Sequence, residues 1–237
     1  MHKIKLGIFI IIMFFSFCSQ EKSGKFSLPS IFDDNMVVQR NNSVPFWGKG
    51  IPGTQIKIKA SWGNQVRTQV NKDGSWKTKL PTPSAGGPFQ ITIENMNKAI
   101  IYENVMSGEV WLCSGQSNME MPLKGWPPRD TILNSKKEIN QANYPKIRMF
   151  TVKRKISTQP QQNCNGSWKL CNPSTVADFS ATAYFFGRKL YKELQIPVGL
   201  IHSSWGGTPA EAWTQKKYLS PFEDLNKIVE KFDEHEN

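Results

Sequence analysis

From Phe26 onward the order of apolar and polar residues follows two patterns, and the change falls near position 105. In the first stretch, "TQIKIKASW" places Ile56, Ile58 and Ala60 on one side of an extended chain, and "NQVRTQV" places Val66, Thr68 and Val70 in the same register. "GGPFQITIEN" repeats the alternation with Phe89, Ile91 and Ile93, and Asp73-Gly74 in "KDGSW" predicts a hairpin turn ahead of Trp76. Short alternating strands with a turn every ten or so residues predict a β-sandwich over residues 26–105. No titratable cluster falls within it, so platform and carbohydrate contact are equally open as its role.

Beyond Met106 the pattern becomes that of a layered α/β protein. "EVWLC" is a continuous apolar run, as in a strand covered on both faces. The polar stretch Thr131 to Ala142 predicts a surface helix, and "KIRMFTV", Lys146 to Val152, another strand. Ser180 is placed to cap a helix over Ala181 to Leu194, with Ala183, Phe186, Leu190 and Leu194 at helical spacing. Gly187 inside that helix costs about 1 kcal/mol relative to alanine, tolerable where it lets the helix lie close to a sheet. Pro197 ends the helix, and "VGLIHSSWGGT" is a strand running into a glycine turn. Strand, helix, strand in that order predicts a parallel α/β layer over residues 106–237. The expected fold class is thus mixed β and α/β.

The N-terminus adds a location. His2, Lys3 and Lys5 precede the twelve apolar residues Leu6 to Phe17, a run too short to span a bilayer but suited to a secretory signal. Cys18 follows at once, with polar "SQEKSG" beyond it. This resembles a bacterial lipoprotein signal: residues 1–18 a signal ending in a lipidated Cys18, residues 19–25 a tether, and a periplasmic or outer-membrane location. Phe17 stands where such signals carry a small residue, which leaves plain secretion and an uncleaved anchor open. Membrane contact is expected only through that lipid.

Composition narrows the partners. The formal charge of +11 comes from scattered lysines, with no basic stripe interleaved with stacking aromatics, so nucleic acid is not expected. Cys113 lies in the apolar run and reads as a buried thiol. Cys164 and Cys171 read equally as a pair or as two separate thiols. No metal-ligand spacing occurs among the cysteines and the three histidines, and neither metal nor cofactor is expected.

The candidate chemistry lies in "EVWLCSGQSNMEMPL". Ser117 stands at the exit of a buried strand, where open α/β sheets place their sites, and Gly115 permits a sharp turn. A helix beginning at Asn118 would offer free N–H groups to the Ser117 hydroxyl. The G-x-S-x-G elbow does not fit, because Met119 occupies the second glycine position. On spacing alone, Ser117 reads as a turn residue.

The longer blocks change that reading. "GEVWLCSGQSNMEMPL" resembles the nucleophile block of the sialate O-acetylesterases, within the SGNH (GDSL-like) esterase superfamily. "IFDDNMVVQR", "VPFWGKGIPGTQI" and "KDGSWKTKLPTPSAGGPFQITI" resemble that family's N-terminal β-domain, and "DFSATAYFFGRKLYKEL" and "IPVGLIHSSWGGTPAEAW" its next two segments. The resemblance spans about residues 26–215. It implies a flavodoxin-like esterase layer after the β-sandwich and an enzyme that removes acetyl groups from sugar hydroxyls, typically of O-acetylated sialic acids. Ser117 would be the nucleophile, its own N–H part of the oxyanion hole. Gly206 and Gly207 are oxyanion-hole candidates or else a tight turn under Trp205. Gln116, Asn118, Glu211 and Trp126 are candidates for the substrate rim. Glu211 reads more readily as a solvated residue at a helix start, and Trp126 and Trp213 read equally as sugar-stacking faces or as core or rim residues.

The family takes its catalytic histidine from a late D-x-x-H block, and this chain has only His2, His202 and His235. His2 is in the signal, His202 reads as a packed, hydrogen-bonded imidazole, and His235 has Phe232 where the aspartate belongs. The esterase domain is therefore expected to be C-terminally incomplete. Two alternatives to the sialate-type esterase stand beside it: a catalytically inactive glycan-binding surface lipoprotein, and an acetyl-xylan-type polysaccharide deacetylase on the same scaffold.

Overall fold

A computed structural model describes residues 25–157 and 159–234. Cys18 and His235 lie outside the described residues. The first region contains β1 (Val37–Gln39), β2 (Ser43–Lys49), β3 (Gln55–Ala60), β4 (Gln65–Gln69), β5 (Ser75–Pro81) and β6 (Gly86–Asn95). β3 pairs antiparallel with both β4 and β6, while β2 and β5 form a separate two-stranded sheet. The alternation of the sequence is the reason: Ile56, Ile58, Ile91 and Ile93 are fully buried from one layer, Phe46, Trp76 and Leu80 from the other, and together they form one core.

The Asp73-Gly74 turn forms, with Asn71 N–H donating to Ser75 O at 2.8 Å and Ser75 N–H to Asp73 Oδ1 at 2.9 Å. It is not a hairpin turn, because β5 pairs with β2 rather than with β4. Pairing in the plane of β4 would leave one face of Trp76 and Leu80 without cover. Crossing to the facing layer buries both.

β7 (Lys98–Gly115) is 18 residues long and runs through the expected domain boundary at 105/106. Its first part pairs antiparallel with β6, its middle parallel with β1, and its last seven residues, Glu109 to Gly115, parallel with β10 (Val198–Ser204). One sheet therefore runs β4-β3-β6-β7-β10-β8-β9, where β8 is Tyr144–Thr151 and β9 is Trp168–Cys171. β7, β10 and β8 are mutually parallel and β9 is antiparallel at the edge, so the architecture is mixed α/β with a mixed sheet.

The helices are α1 (Ser117–Glu120), α2 (Ser135–Gln141), α3 (Pro173–Val176), α4 (Ala181–Leu194), α5 (Lys216–Leu219) and α6 (Glu223–Glu234), with a 3-10 turn at Ala210–Trp213. None of the described helices is long and apolar enough to cross a membrane. α4 starts where the capping serine places it, Ser180 Oγ accepting the Ala183 N–H at 3.1 Å. Its buried face differs from the spacing-based expectation: Phe186 and Leu194 are exposed, and Ala183, Tyr184 and Gly187 are buried. Gly187 explains this. A Cβ there would lie 2.5 Å from Leu200 Cδ1 on β10, so the helix touches the sheet at its glycine, and Phe186 and Leu194 fall on the exposed flank.

A second core forms under α4, from Leu123, Ile147, Met149, Val176, Tyr184 and Leu200. Arg148, 3% exposed, joins the two regions by donating to Pro145 O, Asn35 Oδ1 and Asn104 Oδ1 at 2.8, 3.1 and 3.3 Å. Cys113, Cys164 and Cys171 are free thiols, and burial pushes Cys113 up to about 11 and Cys171 to about 12. Of the two readings of Cys164 and Cys171, separate thiols is the one found.

Candidate active site

β7 and β10 end side by side, with Gly115 opposite Ser204, and Trp205 N–H adds one more bond to Gly115 O at 2.9 Å. Both chains leave the sheet at the same edge, so the two turns that follow must face each other. Gly115 turns at a φ of +141°, a value reserved for glycine, and Gln116 O then accepts from Met119 and Glu120 N–H at 3.0 and 2.9 Å. This starts the single helical turn α1 at Ser117. Ser117 is exposed, its hydroxyl has no partner among the described residues, and its N–H has no acceptor within so short a helix.

The start of α4 holds this turn in place. Thr182 Oγ1 donates to Asn118 O at 2.8 Å, Ala181 N–H to Met121 O at 2.8 Å, and Leu123 N–H to Phe179 O at 2.8 Å. Gln116 and Asn118 flank Ser117 and are exposed.

The second turn carries Gly206 and Gly207. A Cβ on Gly206 would lie 3.6 Å from Ser117 Cα and 2.6 Å from Glu120 Oε2, so the two turns touch here and a larger residue would have to displace the Glu120 carboxylate. The Gly206 N–H donates to Glu120 Oε2, while Glu120 Oε1 pairs with Arg154, whose guanidinium lies 5.6 Å from the Trp205 ring centroid. Gly206 is thus next to Ser117 with its N–H already engaged. Gly207 is exposed at a φ of +78°, and its N–H has no acceptor among the described residues.

Beside these turns lies a cleft of about 540 Å³. It is lined by Lys153, Arg154 and Lys155, by Ser204 and Trp205, and by Trp213. Trp213 is held by Nε1–H donating to Thr208 Oγ1 at 2.8 Å. Trp126 is not among the cleft's walls: it closes a loop with Asp130, its N–H donating to Asp130 O at 2.7 Å. Glu211 is half-buried in the 3-10 turn Ala210–Trp213. Reading the serine block alone missed Glu120, Arg154 and Trp205. The available signal was the charge run "VKRK" directly after a predicted strand, at the edge where the serine leaves the sheet.

His202 is the single histidine among the described residues. It is buried on β10, with Nε2 2.6 Å from Ser204 Oγ and its ring packed edge-on against Phe179 at 5.6 Å. Burial holds its pKa below the ordinary 6.5, and the charge of Arg154 acts in the same direction. Its hydrogen-bond partner is Ser204, and no imidazole contacts Ser117 among the described residues.

Comparison with known proteins fits this arrangement. No family model matches the chain. It is 32% identical to the sialate O-acetylesterase of Rattus norvegicus over 213 residues, 82% of this chain and 38% of that protein. The Homo sapiens sialate O-acetylesterase is likewise 32% identical over 213 residues, 40% of its own length. The fold resembles the crystal structure of a carbohydrate acetylesterase from Xanthomonas citri with a TM-score of 0.76 and 31% identity, over 84% of this chain and 44% of that one. The chain spans about two fifths of the length of the curated relatives it matches. Over the 82% of its length that aligns with them, this chain is a homologue of the sialate O-acetylesterases.

Proposed function

We propose that the chain carries the nucleophile half of a carbohydrate O-acetylesterase of sialate type. The observation that carries this reading is an exposed, unpaired Ser117 hydroxyl at the carboxyl end of a parallel strand, against a glycine turn and beside a polar cleft. Ser117 Oγ attacks the acetyl carbonyl carbon and its proton passes to a base. The carbonyl oxygen becomes an oxyanion, for which the N–H groups of Ser117 and Gly207 are the available donors. Collapse of that intermediate expels the sugar oxygen, which takes up the proton from the base to become a hydroxyl, and leaves an acetyl-enzyme. Water then attacks the acetyl group and releases acetate and free Ser117.

The base is the unfilled role among the described residues, and in this reading a histidine from further sequence of the longer enzyme fills it. Without it, hydrolysis is slower by several orders of magnitude. That same observation favours a second reading, a catalytically inactive glycan-binding surface protein. Export as a lipoprotein through Cys18 is part of both readings and is supported by the basic, then apolar, then cysteine order of the N-terminus.

Acetate release from O-acetylated sialic acid and from acetyl-xylan tests the proposal, with the chain alone and within a full-length enzyme. Release that disappears in Ser117→Ala supports the esterase. Release unaffected by that substitution overturns it, and glycan binding without release in any form supports the binder. The ratio of the two substrates separates a sialate enzyme from a polysaccharide deacetylase.

A further inference from the structure

The single histidine among the described residues has no part in the reading for Ser117, yet it already has a serine of its own. His202 and Ser204 stand two apart on β10, so their side chains leave the same face of the strand, and Nε2 lies 2.6 Å from Ser204 Oγ. Both residues are more than nine-tenths buried, but Ser204 lines the 540 Å³ cleft and His202 does not. The pair is thus a hydroxyl at the cleft wall backed by an imidazole. Ser204 also ends a parallel strand, in register with Gly115, which puts it at the same sheet edge as Ser117. The ring is held from its other sides. Phe179 packs against it edge-on, and Nδ1 is buried with no hydrogen bond of ordinary geometry. Burial holds its pKa down; the Met119 backbone acts the other way as a hydrogen-bonding group, and the cation of Arg154, itself paired with Glu120, adds to the lowering. Cys113, in register with His202 on β7, is a neutral thiol with a pKa of about 11. The imidazole is therefore neutral at pH 7, with a nitrogen lone pair to offer.

We propose that Ser204 and His202 form a second nucleophile–base pair, through which reactive short-chain esters entering the cleft acylate Ser204. The proposal goes beyond the reading for Ser117 and does not depend on it. What separates the pair from a core hydrogen bond is the cleft, which reaches the hydroxyl and leaves the imidazole behind it dry. The assignment places the ring proton on Nδ1, so that Nε2 accepts the Ser204 O–H. Ser204 Oγ bonds to the acyl carbon and its proton moves to Nε2. As the tetrahedral intermediate collapses, the bond from the acyl carbon to the alcohol oxygen breaks and that oxygen takes the proton from Nε2. Water then attacks the acyl carbon, giving a proton to Nε2, which returns it to Ser204 Oγ as the acid leaves. No carboxylate hydrogen-bonds the ring among the described residues, so the imidazolium lacks the support a full triad gives and turnover is slow. Reactive acyl groups are the substrates such a pair can serve.

Covalent labelling tests it. Diisopropyl fluorophosphate loses fluoride to an activated serine, and Ser117 and Ser204 fall in different tryptic peptides of the full chain, so mass spectrometry assigns the label. Fragmentation separates Ser204 from Ser203. The wild type is expected to carry the label at Ser204, and His202→Gln to slow that labelling about a hundredfold. A label confined to Ser117 overturns the proposal, and so does no label at all. A Ser204 label formed at the same rate in His202→Gln overturns the pairing. Because that substitution removes a buried ring, a thermal melt accompanies it, and the pH dependence of the wild type gives an independent measure. Assisted by neutral imidazole, labelling of Ser204 should be level between pH 7 and pH 8 and decline below 6.5 as Nε2 takes up a proton. Unassisted attack would instead rise about tenfold per pH unit across the whole range, and that profile removes His202 from the step. Label on Ser117 bears on the proposed esterase and label on Ser204 on this pair, so the two readings succeed or fail separately.

Discussion

The Glu120 carboxylate accepts the backbone N–H of Gly206, joining the turn that presents Ser117 to the turn that follows β10. Arg154 holds the other carboxylate oxygen. Two loops that leave neighbouring strands are thereby fixed to each other by a charged group 86 residues away in sequence from its backbone partner. Glu120 is a positioning residue in this arrangement, its carboxylate engaging the Gly206 N–H.

Glu120→Gln keeps the shape and removes the charge. The pair with Arg154 is partly exposed, so the expected loss of stability is small, about 1 kcal/mol. The diagnostic readout is local. Amide exchange at Gly206 should accelerate while exchange across β10 stays unchanged, and an unchanged Gly206 rate would remove the positioning role.

The two glycines should respond differently to alanine. Gly206→Ala places a methyl 2.6 Å from Glu120 Oε2 and must push the carboxylate aside, breaking the contact between the turns. Gly207→Ala meets no atom within 4 Å and bears only the backbone strain of a φ of +78°, about 1 to 2 kcal/mol. Thermal melts and Gly115–Trp205 amide exchange should show the first variant loosened at the site and the second lowered mainly in stability.

Gly187→Ala sets two terms against each other. Helix propensity improves by about 1 kcal/mol. The new Cβ, however, would lie 2.5 Å from Leu200 Cδ1, and Leu200 is fully buried and has nowhere to move. Overpacking of this kind costs about 1 to 3 kcal/mol, so the net change should be destabilising. A denaturation midpoint at or above the wild-type value would show that α4 can rise off the sheet.

His202 should mark the acid side of the stability profile. Its folded-state pKa lies below 6.5, so above that pH both folded and unfolded states hold it neutral and it contributes nothing to pH dependence. As the pH falls below 6.5 the unfolded state takes up the proton first, and stability declines until the folded-state pKa is passed. Urea denaturation between pH 8 and pH 5 should show that decline in the wild type and a shallower one in His202→Gln, whatever the offset from losing the 2.6 Å contact with Ser204. Parallel slopes would assign the decline to other groups.

Much of the local structure was legible in the order of residues. The alternating isoleucines marked β3 and β6, Ser180 marked the first turn of α4, and Gly115 with Ser117 marked a turn at the end of a strand. These are short-range signals, written within a few residues by side-chain period, capping and backbone freedom. The resemblance carried by the serine block and its neighbours reached the family as well.

The tertiary structure decided what depends on contacts between distant residues. It made β7 a single strand crossing the expected boundary, and it sent the Asp73-Gly74 turn between layers, because burying Trp76 and Leu80 required a facing sheet. It turned Phe186 outward, because Gly187 sets the closest approach of α4. It also gave the Gly206 N–H to Glu120 and left Lys153 and Lys155 lining the cleft with no ion-pair partner among the described residues. Hydrophobic period states which residues a segment will bury. Which partner a donor or a charge finds depends on which segments the fold brings together, and that was settled only when β7, β8 and β10 were laid side by side.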